Sequence, residues 1–340
     1  MRQPNFDNLL RVLQHKKPDR PTLFEMFMNI PVYEYLAGER HPGTYNTPEE
    51  VLFLARAFMA GGYDYVTVHG SGFSFPSTEK AHAATVSLND GGMISDRRTF
   101  EEYPWPDPED ADYSKLSAVE GHLPEGMKIM VMGPGGVLEN VIALTGYDNL
   151  CFLLYDEPEL VQDIFDAVGE RLVRYYELAV HNDSVGVLMS NDDWGFNTQT
   201  FLSTEDMQKF VYPWHKKIVE VGHKAGKPVL LHSCGNFDVA MEDVIELMRY
   251  DGKHSYEDAI LPVEDSYERW GSRIAILGGI DIDFIVRAAP EEIAQRSFAL
   301  LERTRERSGY ALGTGNSVPE YIPLENYLAM IDTARFQDNW

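Results

Sequence analysis

The residues best suited to chemistry lie in the run Leu230-Leu231-His232-Ser233-Cys234-Gly235-Asn236, where an apolar segment ends in a His-x-Cys pair. Glu257 follows 23 residues after the cysteine, at the end of His254-Ser255-Tyr256-Glu257-Asp258. Imidazole, thiolate and carboxylate are side-chain types that zinc accepts, and three protein ligands with one open position is the catalytic arrangement. Side chains at i and i+2 of a strand share a face, so His232 and Cys234 can reach one ion. A buried cysteine beside a hydrogen-bonded histidine explains the same pair without a metal. The strand-end position, the Gly-Asn that follows and the carboxylate ending the next strand favour the metal site, with no obvious fourth ligand.

Something must bring these groups together. Eight largely apolar segments are expected as strands: 22–27, 63–69, 128–132, 185–190, 227–232, 252–255, 273–277 and 310–313. Their near-continuous apolarity is that of parallel strands covered on both faces. Amphipathic stretches at 48–60, 159–182, 204–225, 239–248, 263–270 and 290–308 are expected as the covering helices. Ser203-Thr204-Glu205-Asp206 carries a helix-start pattern, and Pro290 with Glu291 and Glu292 suits a first turn. Strands alternating with helices over this length predict a single α/β domain spanning 1–340, a (β/α)8 TIM barrel. An open doubly wound sheet competes, but no Gly-x-Gly-x-x-Gly follows the first strand. Residues 70–124 are expected as an irregular excursion over the barrel mouth after the second strand.

In such a barrel the active site forms where strands end, so those positions nominate further residues. Asp192 and Asp193, ending the fourth strand, could act as acid or base or anchor a substrate; loop pinning explains either equally well. Asp281 follows Gly278-Gly279 and carries the same ambiguity. Glu25 could bind metal or substrate, and Asn29, Trp194, Asn316 and Tyr321 are candidate substrate contacts. His69 joins that set, although a satisfied core histidine accounts for it better. Tyr327 could extend an aromatic wall or belong to the core. The glycines at 133, 135 and 136 could cradle a phosphate, but a turn explains them more simply.

Composition narrows the function classes. A net charge of −25, spread along the chain, disfavours nucleic acid and highly anionic substrates. No apolar run approaches the roughly 18 residues of a membrane span, and the N-terminus lacks an apolar signal core. Two cysteines, Cys151 and Cys234, cannot build a disulfide framework, so a cytoplasmic setting is expected.

The chain resembles the uroporphyrinogen decarboxylase superfamily. The likeness runs through Lys17-Pro18-Asp19-Arg20-Pro21, Asp192-Asp193-Trp194-Gly195, Phe201-Leu202-Ser203-Thr204-Glu205, His232–Asn236, Gly278-Gly279-Ile280-Asp281, Gly313–Asn316 and Pro323-Leu324-Glu325-Asn326. It implies a (β/α)8 fold and one of two activities: porphyrinogen decarboxylation, or zinc-dependent methyl transfer with corrinoid proteins. The decarboxylases open with an arginine-rich segment for the substrate's carboxylates; here residues 22–29 hold no arginine. The His-x-Cys…Glu set is similar to the methyltransferase branch, in which His232, Cys234 and Glu257 would hold zinc. That branch has a later cysteine, whereas this chain has none after Cys234 and reads Gly313-Thr314-Gly315-Asn316-Ser317 there. The metal then binds more weakly, takes another ligand such as Glu25, or is absent. The expected activity is zinc-assisted methyl transfer between a small methylated compound or thiol and a corrinoid protein, in a chain that could pair as a homodimer. Decarboxylation of a tetrapyrrole or other carboxylated molecule is the alternative, and a non-catalytic ligand-binding barrel the third reading.

Overall fold

The computed structural model describes residues 2–76, 88–89 and 92–337. Seven parallel strands form one sheet in sequence order: β1 (Tyr65–His69), β2 (Lys128–Met132), β3 (Val185–Asn191), β4 (Val229–His232), β5 (Gly252–His254), β6 (Ala275–Leu277) and β7 (Tyr310–Ala311). The sheet curls into a half-barrel consistent with the (β/α)8 architecture, and Ile129, Val187, Leu230 and Ile276 are fully buried on it.

The expected first strand is a bridged segment rather than a full ladder. Phe24 N donates to Leu312 O at 2.7 Å and Leu312 N to Thr22 O at 2.9 Å, which sets the segment beside β7. Toward β1 the junction is made by a side chain: the Tyr65 hydroxyl accepts from Glu25 N at 2.7 Å and donates to Glu25 O at 2.8 Å.

The helices follow local chemistry. Pro48–Gly61 starts on the Thr47 side chain with proline in its first turn, and ends at Gly62, whose φ of 92° suits a residue without Cβ. Pro158–Val180 buries Leu160, Val161, Ile164, Phe165, Val168 and Leu172 along one stripe. The helical stretch expected from Thr204 holds a π-helical turn, Met207–Val211, just ahead of Pro213, which lacks an N–H. Val137–Thr145, Tyr147–Asp156 and Leu324–Arg335 are additional helices beyond the expected set.

Residues 77–87 and 90–91 of the expected excursion lie outside the described residues. Its described return packs on the outside of the barrel. Met93 N and Ile94 N both donate to Leu144 O, at 2.7 and 2.9 Å, and Trp105 lies 4.9 Å below the Arg171 guanidinium. These contacts fasten it to the outer helices. No single helix among the described residues is long and apolar enough to cross a membrane.

Candidate metal centre at the barrel mouth

The register of three neighbouring strands builds the centre. Asn191 pairs with His232, and His232 with His254, so two imidazoles stand side by side at the ends of β4 and β5. Their Nδ1 atoms are 2.8 Å apart, and His254 Nε2 lies 3.0 Å from Thr314 O. Burial holds His254 well below the usual histidine range and pushes His232 down to about 3, so both rings are neutral. A carbonyl only accepts, so His254 carries its proton on Nε2 and offers a lone pair at Nδ1. His232 must then donate from Nδ1, which leaves its Nε2 unprotonated. That lone pair is 3.9 Å from Cys234 Sγ and 3.9 Å from Asp193 Oδ1. Replacing His254 with phenylalanine is expected to lower zinc affinity about 10- to 100-fold, because His232 loses the acceptor that fixes its tautomer. Chelator competition reads this directly; an unchanged affinity would remove His254 from the account.

Asp193 arrives through contact between two loops. Gly235 has φ of 101°, and a Cβ there would come within 2.5 Å of Gly195 O. This close approach lets Cys234 N donate to Asp193 Oδ1 at 2.9 Å and Asn236 N to Phe196 O at 2.9 Å. The donor atoms of Asp193, His232 and Cys234 consequently all lie within 4.8 Å of one another. Two ligands on tetrahedral zinc are about 3.5 Å apart at ordinary bond lengths. The two distances from His232 Nε2, 3.9 Å each, need a contraction of about half an ångström, and the spread of up to 4.8 Å across the set closes by about 1 Å more through the Asp193 and Cys234 side chains, so the donor set can take such an ion.

The sulfur is prepared for a cation. Burial, with the Asp193 charge next, pushes the Cys234 thiol well above its ordinary range. It therefore keeps its proton until a positive charge takes that proton's place. Asn316 Nδ2 lies 3.3 Å and Ser255 Oγ 3.7 Å from Sγ. Asn316 belongs to the 313–317 stretch, which holds no second cysteine.

Glu257 is not in this group. It lies beside it, facing Lys253 and Asp281, and burial followed by the Asp281 charge raises its carboxyl above the usual range. Glu25 is also elsewhere: fully buried, its oxygens are 2.9 and 3.1 Å from Thr314 Oγ1, so it does not supply the missing ligand.

Asp192 and Asp193 point opposite ways, as alternation along an extended chain requires. Asp192 is buried, and its carboxylate accepts from Leu138 N, Glu139 N and His215 Nε2 at 3.0, 2.9 and 2.8 Å. A Cβ on Gly136 would fall 2.1 Å from the Asp192 carboxyl carbon, so that glycine makes room for a helix-pinning carboxylate rather than a phosphate. Asp281 is similarly committed, accepting from Phe284 N and Asp258 N at 2.9 Å each.

Among the expected substrate contacts, Asn316 and the exposed Tyr321 line a cleft of about 490 Å³ with Glu257 and Asp281. Asn29 caps the helix Ile30–Ala37 and donates to Pro319 O at 2.9 Å. His69 lies against Phe27, ring centres 5.7 Å apart, in a separate hollow with Lys115. Trp194 is buried with its ring 4.9 Å from His215, and so supports the Asp192 network rather than walling the cleft. Tyr327 is a core residue hydrogen-bonded to Tyr63.

Sequence reasoning passed over three groups near the centre: Lys253, Ser255 and Glu139. Lys253 had a visible signal, a charge inside a three-residue buried strand. Glu139 is raised to about 8 by burial and the charges of Asp192 and Asp193. Asn191 Oδ1 is buried without a partner beside His232.

Comparison with known proteins adds a family. The family described as "Uroporphyrinogen decarboxylase (URO-D)" matches residues 125–336. The uroporphyrinogen decarboxylases of Anaeromyxobacter dehalogenans (strain 2CP-C) and Anaeromyxobacter sp. (strain Fw109-5) are 24% and 22% identical over 188 residues, 55% of this chain and 51% of each relative. The chain thus spans about half the length of these curated relatives. A methyltransferase from Methanosarcina mazei shares the fold over 96% of both chains, with a TM-score of 0.69 and 16% identity.

Proposed function

Because this chain belongs to the uroporphyrinogen decarboxylase family, we propose that it is a zinc-assisted methyltransferase, working between a small methylated compound or thiol and a corrinoid carried by a partner protein. The observation that carries this reading is the gathering of Asp193 Oδ1, His232 Nε2 and Cys234 Sγ within 4.8 Å, with the imidazole lone pair freed by His254. Those three residues would hold the ion. When bound, zinc supplies Lewis acidity that stabilises a thiolate or a departing oxygen or nitrogen.

The rest is work for the chain's own side chains. Asn316 and Ser255 hydrogen-bond the Cys234 sulfur and limit its nucleophilicity toward substrate. The cleft beside them, with Tyr321 at its rim, takes the small molecule. Glu257 lines that cleft and holds its proton to a higher pH than an ordinary carboxyl. It is placed to give that proton to a leaving oxygen or nitrogen and to recover it afterwards.

A second reading, decarboxylation, is favoured by the names of the curated relatives. Against it, Asp193, Glu257 and Asp281 make an acidic mouth, poorly matched to a substrate carrying many carboxylates. Cobalamin absorbance separates the two. Zinc-loaded protein with methylcobalamin and a thiol panel, or with cob(I)alamin and methoxy and methylamino compounds, is expected to show zinc-dependent methyl movement. No spectral change across both panels, together with metal-independent turnover of uroporphyrinogen, would replace this reading with the second.

A further inference from the structure

The hollow that holds His69 contains a buried cation that neither the donor group nor its cleft uses. Lys115, on the short helix Ser114–Ala118, is 3% exposed, yet no carboxylate among the described residues lies within ion-pair distance of its Nζ. The ammonium donates once, to Asn46 Oδ1 at 2.7 Å. Two of its three N–H groups therefore have no acceptor among the described residues. Asn46 offers its oxygen from a loop position with φ of 57°, a left-handed conformation that asparagine tolerates better than most side chains. A buried charge held by one neutral group is costly unless something completes its shell.

The space beside Lys115 can admit a ligand. The hollow measures about 240 Å³, on the order of eight waters at roughly 30 Å³ each. Phe27, Tyr33, Leu54 and Val68 give it an apolar lining, and the exposed Ile30 and Tyr45 stand at its rim. His69 shares the wall; burial, followed by the Lys115 charge, lowers its ring below the usual histidine range, so it adds no second cation. Glu50 also lines the hollow, but its carboxylate is engaged by the loop. Its Oε2 accepts from Asn46 N at 2.6 Å, and His41 Nε2 lies 3.7 Å from its Oε1.

We propose that this hollow is a binding site for a small monocarboxylate with an apolar body, its carboxylate held by Lys115 and its hydrocarbon part by Phe27, Leu54 and Val68. An apolar hollow with a few placed polar groups is the usual form of a small-molecule site. The two unpaired N–H groups of Lys115 are what a carboxylate needs, and one cation balances one negative charge. Burial lowers Lys115 to about 8, with the Glu50 and Asp112 charges opposing, so at neutral pH the side chain remains an ammonium. A purely structural tie from this helix to Asn46 requires no charge, because a neutral amide donates to Asn46 Oδ1 equally well. None of the residues lining the hollow belongs to the donor group or to its cleft, so the site stands whether or not zinc and methyl transfer do.

Calorimetric titration of the protein with sodium benzoate tests this, with benzyl alcohol as the neutral control. Benzoate is expected to bind the native protein, and at least 10-fold more weakly to Lys115→Gln, which keeps a donor for Asn46 but loses the charge. Ile30→Trp, which narrows the rim and leaves Lys115 in place, is expected to weaken benzoate several-fold. Benzyl alcohol should not distinguish native protein from Lys115→Gln. Cys234→Ala, which removes the donor group's sulfur, should bind benzoate as the native protein does. No benzoate binding at millimolar concentration, equal binding to native protein and Lys115→Gln, or equal affinity for alcohol and acid would overturn the site. So would benzoate binding that is lost in Cys234→Ala, since that places the ligand at the donor group. If circular dichroism shows that Lys115→Gln does not fold, Ile30→Trp decides, and unchanged benzoate affinity in that variant overturns the proposal.

Discussion

Replacing Cys234 by alanine is expected to lower zinc affinity by at least ~100-fold and to remove zinc-dependent methyl transfer, while leaving the barrel folded. The side chain is small and sits at a strand end, not in the apolar core, so its loss opens little space. The loss of zinc affinity has a plain physical origin. Only Asp193 Oδ1 and His232 Nε2 would remain, and Asp193 Oδ1 already accepts from the Cys234 backbone N–H at 2.9 Å. That hydrogen bond survives the substitution, so the loop contact persists and the effect isolates the thiolate. Zinc content by mass spectrometry, with circular dichroism for the fold, checks it. Full zinc occupancy in the variant would show that the ion, if bound, is held elsewhere.

The second large effect concerns stability rather than turnover. Burial raises Glu25 from 4.5 to about 8, and hydrogen bonds from Thr314 and Met26 only partly oppose the shift. Between those values the native protein binds a proton that the unfolded chain has released. Stability from this group is therefore fully present below about 4.5 and is lost as pH rises through about 8. A separation of about 3.5 units corresponds to on the order of 5 kcal/mol. Glu25→Gln imitates the protonated form at every pH, so it is expected to be the more stable protein at pH 9 and to differ little at pH 5. Urea midpoints of both proteins across that range measure the effect. Parallel curves would mean that Glu25 does not carry the linkage.

The sequence showed the sheet clearly because both faces of its strands are covered. Residues 128–132 and 185–190 are apolar at successive positions, and their strands lie within one residue of those bounds. The segment 22–27 reads equally apolar, but pairing needs a neighbour's backbone, and there the Tyr65 side chain takes that place. The His-x-Cys pair was legible because two residues on one strand share a face without help from the rest of the fold. Asp193 was nominated as an acid or base but not as a ligand. Its approach depends on Gly195 and Gly235 touching across two loops, and no local pattern reports such a contact. Glu257 was legible as a residue near the mouth, but its seat beside Lys253 rather than in the donor group is likewise a tertiary outcome. Trp194 was read as a cleft wall because aromatic residues serve either purpose, and only packing against His215 distinguishes them.

All three donor atoms come from two adjacent strand ends, those of β3 and β4. The far wall of the cleft comes from other parts of the chain, around 282–286 and 317–321. Mutations there can alter which molecule fits without displacing a donor atom. The rim thus divides its labour: one arc carries the candidate metal ligands, and another shapes the space beside them.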